Sequence, residues 1–166
     1  MQRDMVWHER MRDGECPICG LIQDRTKKSM DGFLYESVND PLLRDKICKS
    51  GGFCNYHAYM LMDMGDPLAH ALIYSDLLNG AIRNFQTPLL KKQEGIFQSH
   101  SDCPFCLQAA ECEEIYIRAF ADSISDDDFK TRYIESGMLC LAHLEMIKMG
   151  KNRGNAEIIT TATLVK

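Results

Sequence analysis

Apolar side chains along this chain recur every three or four residues and do not alternate, a spacing that predicts helices and no strands. From Pro17 to about Val38 the positions are Ile18, Leu21, Ile22, Met30, Phe33, Leu34 and Val38, and Gly32 weakens the later turns. From Pro104 to about Ile124 they are Leu107, Ala110, Ile117, Phe120, Ala121 and Ile124. Shifting the first segment by 87 residues places Met30 on Ile117 and Phe33 on Phe120, which marks these as core positions. Pro67 to about Phe85 carries Ala71, Tyr74, Leu78, Ile82 and Phe85 on one face and Ile73 and Leu77 on another. So wide an apolar surface predicts burial between two copies of a repeat. A short lead-in helix is expected over about Met5 to Met11, anchored by Trp7.

The five prolines sit where helices can start. Asp40-Pro41, Asp66-Pro67 and Thr87-Pro88 each place a capping side chain before a proline at the first helical position, where the missing N–H costs nothing. Cys16-Pro17 and Cys103-Pro104 have the same form, which sets a thiol against the positive end of a helix. After each long helix comes an acidic break, Asn39-Asp40 or Asp126-Asp127-Asp128, and then a short helix. Gly51 and Gly52 stop the first short helix and Gly137 the second, and the chain turns directly into a helix headed by Cys-x-x-His.

These elements occur twice. Cys16-Pro17-Ile18-Cys19 is repeated by Cys103-Pro104-Phe105-Cys106, and the segment around Cys54 and His57 by that around Cys140 and His143. Past the histidines, Met60 aligns with Met146 and Leu61 with Ile147, so a shared buried face is expected there too. The fold class expected is all-α, an internally duplicated helical domain with two Cys3His metal sites. The first repeat covers 1–86 and the second 87–166, within one compact domain overall. Thr87 to Asp102 reads as the linker. A counterpart of the Pro67 helix would begin near Gly154, and its equivalent of Phe85 would fall beyond Lys166, so the second copy reads as shortened.

The eight residues Cys16, Cys19, Cys54, His57, Cys103, Cys106, Cys140 and His143 are the candidate metal ligands. Cysteines three apart at a helix start bring their sulfurs within the roughly 4 Å that tetrahedral zinc requires. Cys and His one helical turn apart lie on one face, with Cβ atoms roughly 5–6 Å apart. Coordination within each copy is the expectation: Cys16, Cys19, Cys54 and His57 in one tetrahedron, and Cys103, Cys106, Cys140 and His143 in the other. Spacing also admits the exchanged pairing, with Cys16 and Cys19 joined to Cys140 and His143. Thiolate-rich sets suit zinc, two ions per chain, or alternatively an iron–sulfur cluster, and do not suit magnesium or calcium. The plainer reading is buried cysteines acting as small hydrophobes beside core histidines.

Composition narrows the function classes. The chain has 166 residues, 45% of them hydrophobic, enough for a core. A net charge of −5 argues against a nucleic-acid footprint, and the cluster Arg25, Lys27 and Lys28 reads as a solvated helix face. The charged first residues do not form a signal-peptide core, and no apolar run is long enough to span a membrane. A cytoplasmic location follows, where reduced thiols bind metal in preference to forming disulfides.

Other candidates are weaker. Cys48 stands between Lys46 and Lys49, which would lower its pKa and suit a redox sensor, although a half-buried structural cysteine is the plainer reading. Glu111, Glu113 and Glu114 around Cys112 would make that thiol inert. His8, His70 and His100 lack partners at ligand spacing and read as surface or capping residues. The ten methionines read as core filling, with an adaptable partner-binding surface as the alternative.

The doubled Cys-Pro-x-Cys pattern, the stretch Tyr35-Glu36-Ser37-Val38-Asn39-Asp40-Pro41 and the Gly-Phe-Cys-x-x-His run ending at His57 together resemble a prokaryotic family of uncharacterised domain-of-unknown-function proteins. Some of its members carry a label as transporter substrate-binding proteins. The resemblance implies no established activity, and the start of the chain offers no signal peptide or lipoprotein cysteine to support that label.

Three functions from different classes remain. The first is a non-catalytic module with structural metal sites and an unknown protein partner, with a homo-oligomer also compatible. The second is a redox or iron–sulfur protein, and the third binds nucleic acid. No nucleophile, base or phosphate loop stands out, which weighs against an enzyme. A hydrolytic site would need one histidine to leave its metal, with Asp102 beside Cys103 as base.

Overall fold

Proline starts and side-chain caps divide the chain into helices. The computed structural model describes residues 7, 9–11, 14–86, 103–150 and 153–164. Helix α1 spans Pro17–Gly32 and continues into a π-helical turn, Phe33–Ser37. Then come α2 (Pro41–Lys49), α3 (Asn55–Asp63), α4 (Pro67–Gln86), α5 (Pro104–Ser123), α6 (Asp127–Ser136), α7 (Leu141–Met149) and α8 (Arg153–Leu164). The architecture is all-helical, with no strand among the described residues. Trp7 and residues 9–11 are helical as well.

The expected caps form. Asp40 Oδ1 accepts the Leu42 amide at 2.9 Å and opens α2. Asp66, held at a φ of 61°, accepts the Ala69 amide at 3.0 Å and opens α4. Asp126 does the same for α6 through the Phe129 amide at 3.0 Å. Thr87-Pro88 and the expected linker lie outside the described residues. Gly52 has a φ of 96°, where a side chain would be strained, and its amide closes the end of α2 on the Ile47 carbonyl at 2.9 Å.

One long helix differs from expectation. The Pro17 helix stops being α-helical at Gly32, and the extra residue in the π turn turns Phe33 and Leu34 into the core. In the second copy the same register holds Ala119, and α5 stays α-helical to Ser123. Glycine is about 1 kcal/mol poorer than alanine in a helix, which is one difference between the two segments.

Chain contacts divide the protein into two compact units. The terminal unit comprises Met1–Arg25 with Glu111–Lys166, and the central unit Thr26–Ala110. Each of these units draws residues from both sequence copies, 1–86 and 87–166. Their boundaries fall inside α1 and α5.

Each unit has its own core. In the terminal unit Trp7 packs edge-on against Tyr116 and Phe120, with ring centroids 6.2 and 5.4 Å apart. Phe120 in turn meets Phe129 and Tyr133 edge-on, and Ile18, Ile124, Leu144, Ile147 and Ile159 complete the cluster. In the central unit Met30, Phe33, Leu34, Val38, Ile47, Leu61, Ala69 and Ile73 form the core. Phe53 stacks on Phe105 at 5.4 Å, and Phe33 meets both edge-on.

Three expected core assignments are corrected. In α4 the inward face is Ala69, Ile73 and half-buried Leu77, whereas Ala71, Tyr74, Leu78 and Ile82 face solvent. The capping turn at Asp66 and the spacing of four residues from Ala69 set that face; Phe85 has no described side chain. Leu107 and Ala110 are exposed, because Phe105 takes the inward position at the start of α5. Met146 is exposed although Ile147 beside it is buried.

Candidate metal centres

Each half of a centre is built in the same way. Cys54 is the N-cap of α3 and Cys140 that of α7, with backbone angles near φ −66°, ψ 161° and φ −68°, ψ 156°. The histidine three residues later points back to the same side. Cys16 and Cys103 stand directly before the prolines that open α1 and α5, and their carbonyls accept the amides of Gly20 and Leu107. Cys19 and Cys106 lie one turn in. Every half-site is therefore the open N-terminus of a helix, where unpaired amides and the helix dipole favour negative charge.

The structure pairs these halves across the sequence copies. Cys16, Cys19, Cys140 and His143 form one group in the terminal unit, and Cys54, His57, Cys103 and Cys106 form the other in the central unit. Within each group the ligand atoms all lie within 4.8 Å of one another. The expected coordination within each copy is thus overturned and the exchanged pairing is observed. All eight candidate residues are brought together in one group or the other.

The distances suit a single tetrahedral ion. His143 Nδ1 lies 3.3, 3.4 and 3.1 Å from the sulfurs of Cys16, Cys19 and Cys140, and Cys19 and Cys140 are 3.8 Å apart. His57 Nδ1 lies 3.3, 3.4 and 3.3 Å from Cys54, Cys103 and Cys106, and Cys54 and Cys106 are 3.6 Å apart. Zinc–sulfur bonds of about 2.3 Å and zinc–nitrogen bonds of about 2.0–2.1 Å place tetrahedral sulfurs about 3.8 Å apart and the nitrogen about 3.5 Å from each sulfur. Cys16, Cys103, His57 and His143 are buried, and the other four ligands are half-buried.

The electrostatics call for a cation. Burial pushes the Cys19 thiol up to about 12, helped by the neighbouring Cys16 and Cys140. Burial likewise raises Cys106 to about 12, with Cys54 and Cys103 adding to it. Cys16 moves the other way. Burial would raise it, but hydrogen bonds with His143 and with the backbone of Cys140 and Cys19, and the His143 charge, bring it down to about 6. The Cys16 hydrogen bond, against burial and with the charges of Cys16 and Cys140 and the Glu113 contact, lifts His143 to about 9. Three sulfurs this close cannot all ionise without a positive charge among them, a charge that a metal ion held by the group would supply.

Glu113 is the residue that sequence reasoning missed. Its Oε1 accepts from His143 Nε2 at 2.9 Å, which fixes the ring and leaves Nδ1 turned to the sulfurs. Glu113 also lines an open groove of about 850 Å³ with Ile117, Arg118 and Met146, so solvent reaches this carboxylate. Nothing in the spacing marks it, because α5 and α7 meet only in the folded chain. Glu114, expected beside Cys112, pairs instead with Arg118 at 2.8 Å.

Cys48 is half-buried, and burial raises its thiol, as do the charges of Asp76 and Asp45, which agrees with the structural reading and not with the redox-sensor alternative. Lys49 is drawn to Asp45 at 2.6 Å. His70 Nδ1 donates to the Asp66 carbonyl at 2.8 Å, a contact within the first turn of α4. Arg25, Lys27 and Lys28 are solvated. His8, His100 and Asp102 lie outside the described residues. No helix among those residues is long and apolar enough to cross a membrane.

Comparison with known proteins returns no function. Residues 5–96 match the model of a family described as "Family of unknown function (DUF6062)". A protein of Caldicellulosiruptor sp. (strain Rt8B.4), described as an uncharacterized 23.9 kDa protein in the xynA 3' region, is 40% identical over 140 residues, 84% of this chain and 68% of that protein. No solved structure matches.

Proposed function

The chain belongs to the DUF6062 family, and for it we propose a zinc-binding helical protein with two structural metal sites that serves as a protein-interaction module. The observation that carries this reading is the geometry of the two groups, each with one imidazole nitrogen 3.1–3.4 Å from three sulfurs. Cys16, Cys19, Cys140 and His143 would hold one ion, and Cys54, His57, Cys103 and Cys106 the other. Four protein ligands fill a tetrahedron and leave no position for water, which is the form of a structural zinc site.

The alternative is a redox or iron–sulfur protein. A cluster spreads its ligands around several irons, whereas the short sulfur–sulfur separations here, 3.6 and 3.8 Å, favour one ion at each centre. Zinc bound through thiolates also fits a reducing compartment such as the cytoplasm, and none of the eight cysteines is in a disulfide. Exposed Tyr59, Met62 and Leu78 on the central unit support a role in contacting other proteins, and the net charge of −5 disfavours nucleic acid.

Elemental analysis of the purified chain tests the reading. It should give about two zinc ions per chain and no visible absorbance. Brown protein containing iron and sulfide would replace it with the cluster reading.

A further inference from the structure

Neither copy of the repeat can complete a centre alone. Each carries one Cys-Pro-x-Cys half and one Cys-x-x-His half, and each half meets its complement in the other copy. The apolar packing follows the same rule. Cys103 and Phe105 of the second copy are buried among Met30, Phe33 and Leu61 of the first. Cys16 and Ile18 of the first copy are buried among Phe120, Leu139 and Leu144 of the second. Each copy thus presents four ligands, two at each of two helix N-termini, and an apolar surface, and what satisfies them is another copy of the same kind.

We propose that the two copies are mutual binding partners, and that the first copy of one chain can engage the second copy of another chain through the same two metal centres. The partner is a second molecule of this protein, and each shared centre takes two ligands from each chain. This inference rests on the metal-binding reading above. Exchange of an element between identical chains reuses every contact of the closed chain, so it requires no new surface. What opposes it is the covalent tether, which holds a chain's own copies at an effective concentration on the order of mM. At lower concentrations an intact chain closes on itself. A chain whose own partner copy is defective has no such option and must take its complement from a neighbour.

The test uses two full-length variants with different affinity tags. One carries Cys16→Ser, Cys19→Ser, Cys54→Ser and His57→Ala, which removes the ligands of the first copy. The other carries Cys103→Ser, Cys106→Ser, Cys140→Ser and His143→Ala, which removes those of the second. Neither variant retains more than two ligands at any centre, alone or with itself. Coexpressed and purified through one tag, they should emerge as a 1:1 complex holding about two zinc ions, while a pair of chains bearing the same defect should yield neither zinc nor complex. Purification of the tagged variant without its complement, from cells in which the wild-type chain binds two zinc ions, overturns the exchange and leaves the metal reading intact. A wild-type chain without bound metal overturns both.

Discussion

The two centres have the same ligands and different surroundings. In the terminal unit His143 gives its outer nitrogen to Glu113. In the central unit His57 lies against the rings of Tyr56 and Phe105, with centroids 5.1 and 5.8 Å away. The residue 87 positions before Glu113 is Thr26, which is buried in the central unit. The two centres thus share ligand types and helix N-termini, while the position 87 residues before the carboxylate of Glu113 carries a neutral hydroxyl, Thr26. In the metal-binding reading, surroundings of this kind tune how tightly a ligand set holds its ion.

Removing a ligand has the largest expected effect and tests which ligands share a centre. Structural zinc contributes about 10–16 kcal/mol in small peptides, and whole domains are stable by only about 5–15 kcal/mol. Cys140→Ser and Cys54→Ser should each halve the zinc content and lower the thermal midpoint sharply, and Cys112→Ser should do neither. Combining Cys16→Ser with Cys140→Ser should cost little more than either alone, because both damage the terminal centre. Combining Cys16→Ser with Cys54→Ser should remove both ions. Zinc content and melting of the two double variants check this, and the reverse outcome, with Cys16→Ser plus Cys54→Ser losing one ion and Cys16→Ser plus Cys140→Ser losing both, would restore coordination within each copy.

Acidity separates the bound and metal-free states next. In the metal-free terminal centre His143, near 9, and Cys19, near 12, hold their protons at neutral pH, and Cys16, near 6, has lost its own. Zinc must displace the protons of His143 and Cys19. Their raised pKa values therefore oppose binding at low pH, and the opposition fades as pH rises through them. Between about pH 6 and 9 the apparent affinity should climb at least about a hundredfold per pH unit, tenfold for each proton released. Chelator competition across that range measures it, and a flat profile would exclude these two groups as ligands.

Glu113 sharpens the contrast between the units. Replacing a carboxylate that orients a metal-bound histidine costs about 10–100-fold in affinity. Glu113→Gln keeps a hydrogen-bond acceptor and loses the charge, so the terminal centre should weaken toward the lower end of that range with the central centre unchanged. Stepwise zinc release to a chelator should then show one phase moving and the other fixed. A common shift of both phases would mean that Glu113 acts on the fold and not on His143.

Much of this was legible in the sequence because it is local. The Asp caps, the proline starts, the helix N-terminal cysteines and the Cys-x-x-Cys and Cys-x-x-His half-motifs depend on residues within one turn of each other. The pairing of halves was not, since it depends on where long helices carry the chain. A helix of 16 residues such as α1 advances about 24 Å at 1.5 Å per residue, and the nine residues of α2 span about 14 Å. The lengths can be read from the sequence, but the directions in which the helices run cannot. The inward face of α4 was missed for a different reason. Its apolar residues nearly encircle the helix, so periodicity alone does not select Ala69 and Ile73 over Tyr74 and Leu78. Glu113 was invisible because its partner lies 30 residues away on another helix.

The smallest expected effect concerns the break between α1 and its π turn. Gly32 has φ −59° and ψ −37°, ordinary right-handed helical values, and a Cβ built there meets nothing within 4 Å. Alanine therefore fits without strain. It also restricts the unfolded chain, an effect worth about 0.4–1 kcal/mol when the native backbone is compatible. Gly32→Ala should raise the thermal midpoint of the metal-loaded protein by roughly 1–4 °C, on a scale of about 2–4 °C per kcal/mol for a chain of this size. If the π turn is set by the packing of Phe33, Leu34 and Val38, the alanine leaves it in place and zinc content stays the same. A fall in the midpoint would show that the flexibility of Gly32 is itself needed to bring those three side chains into the central core.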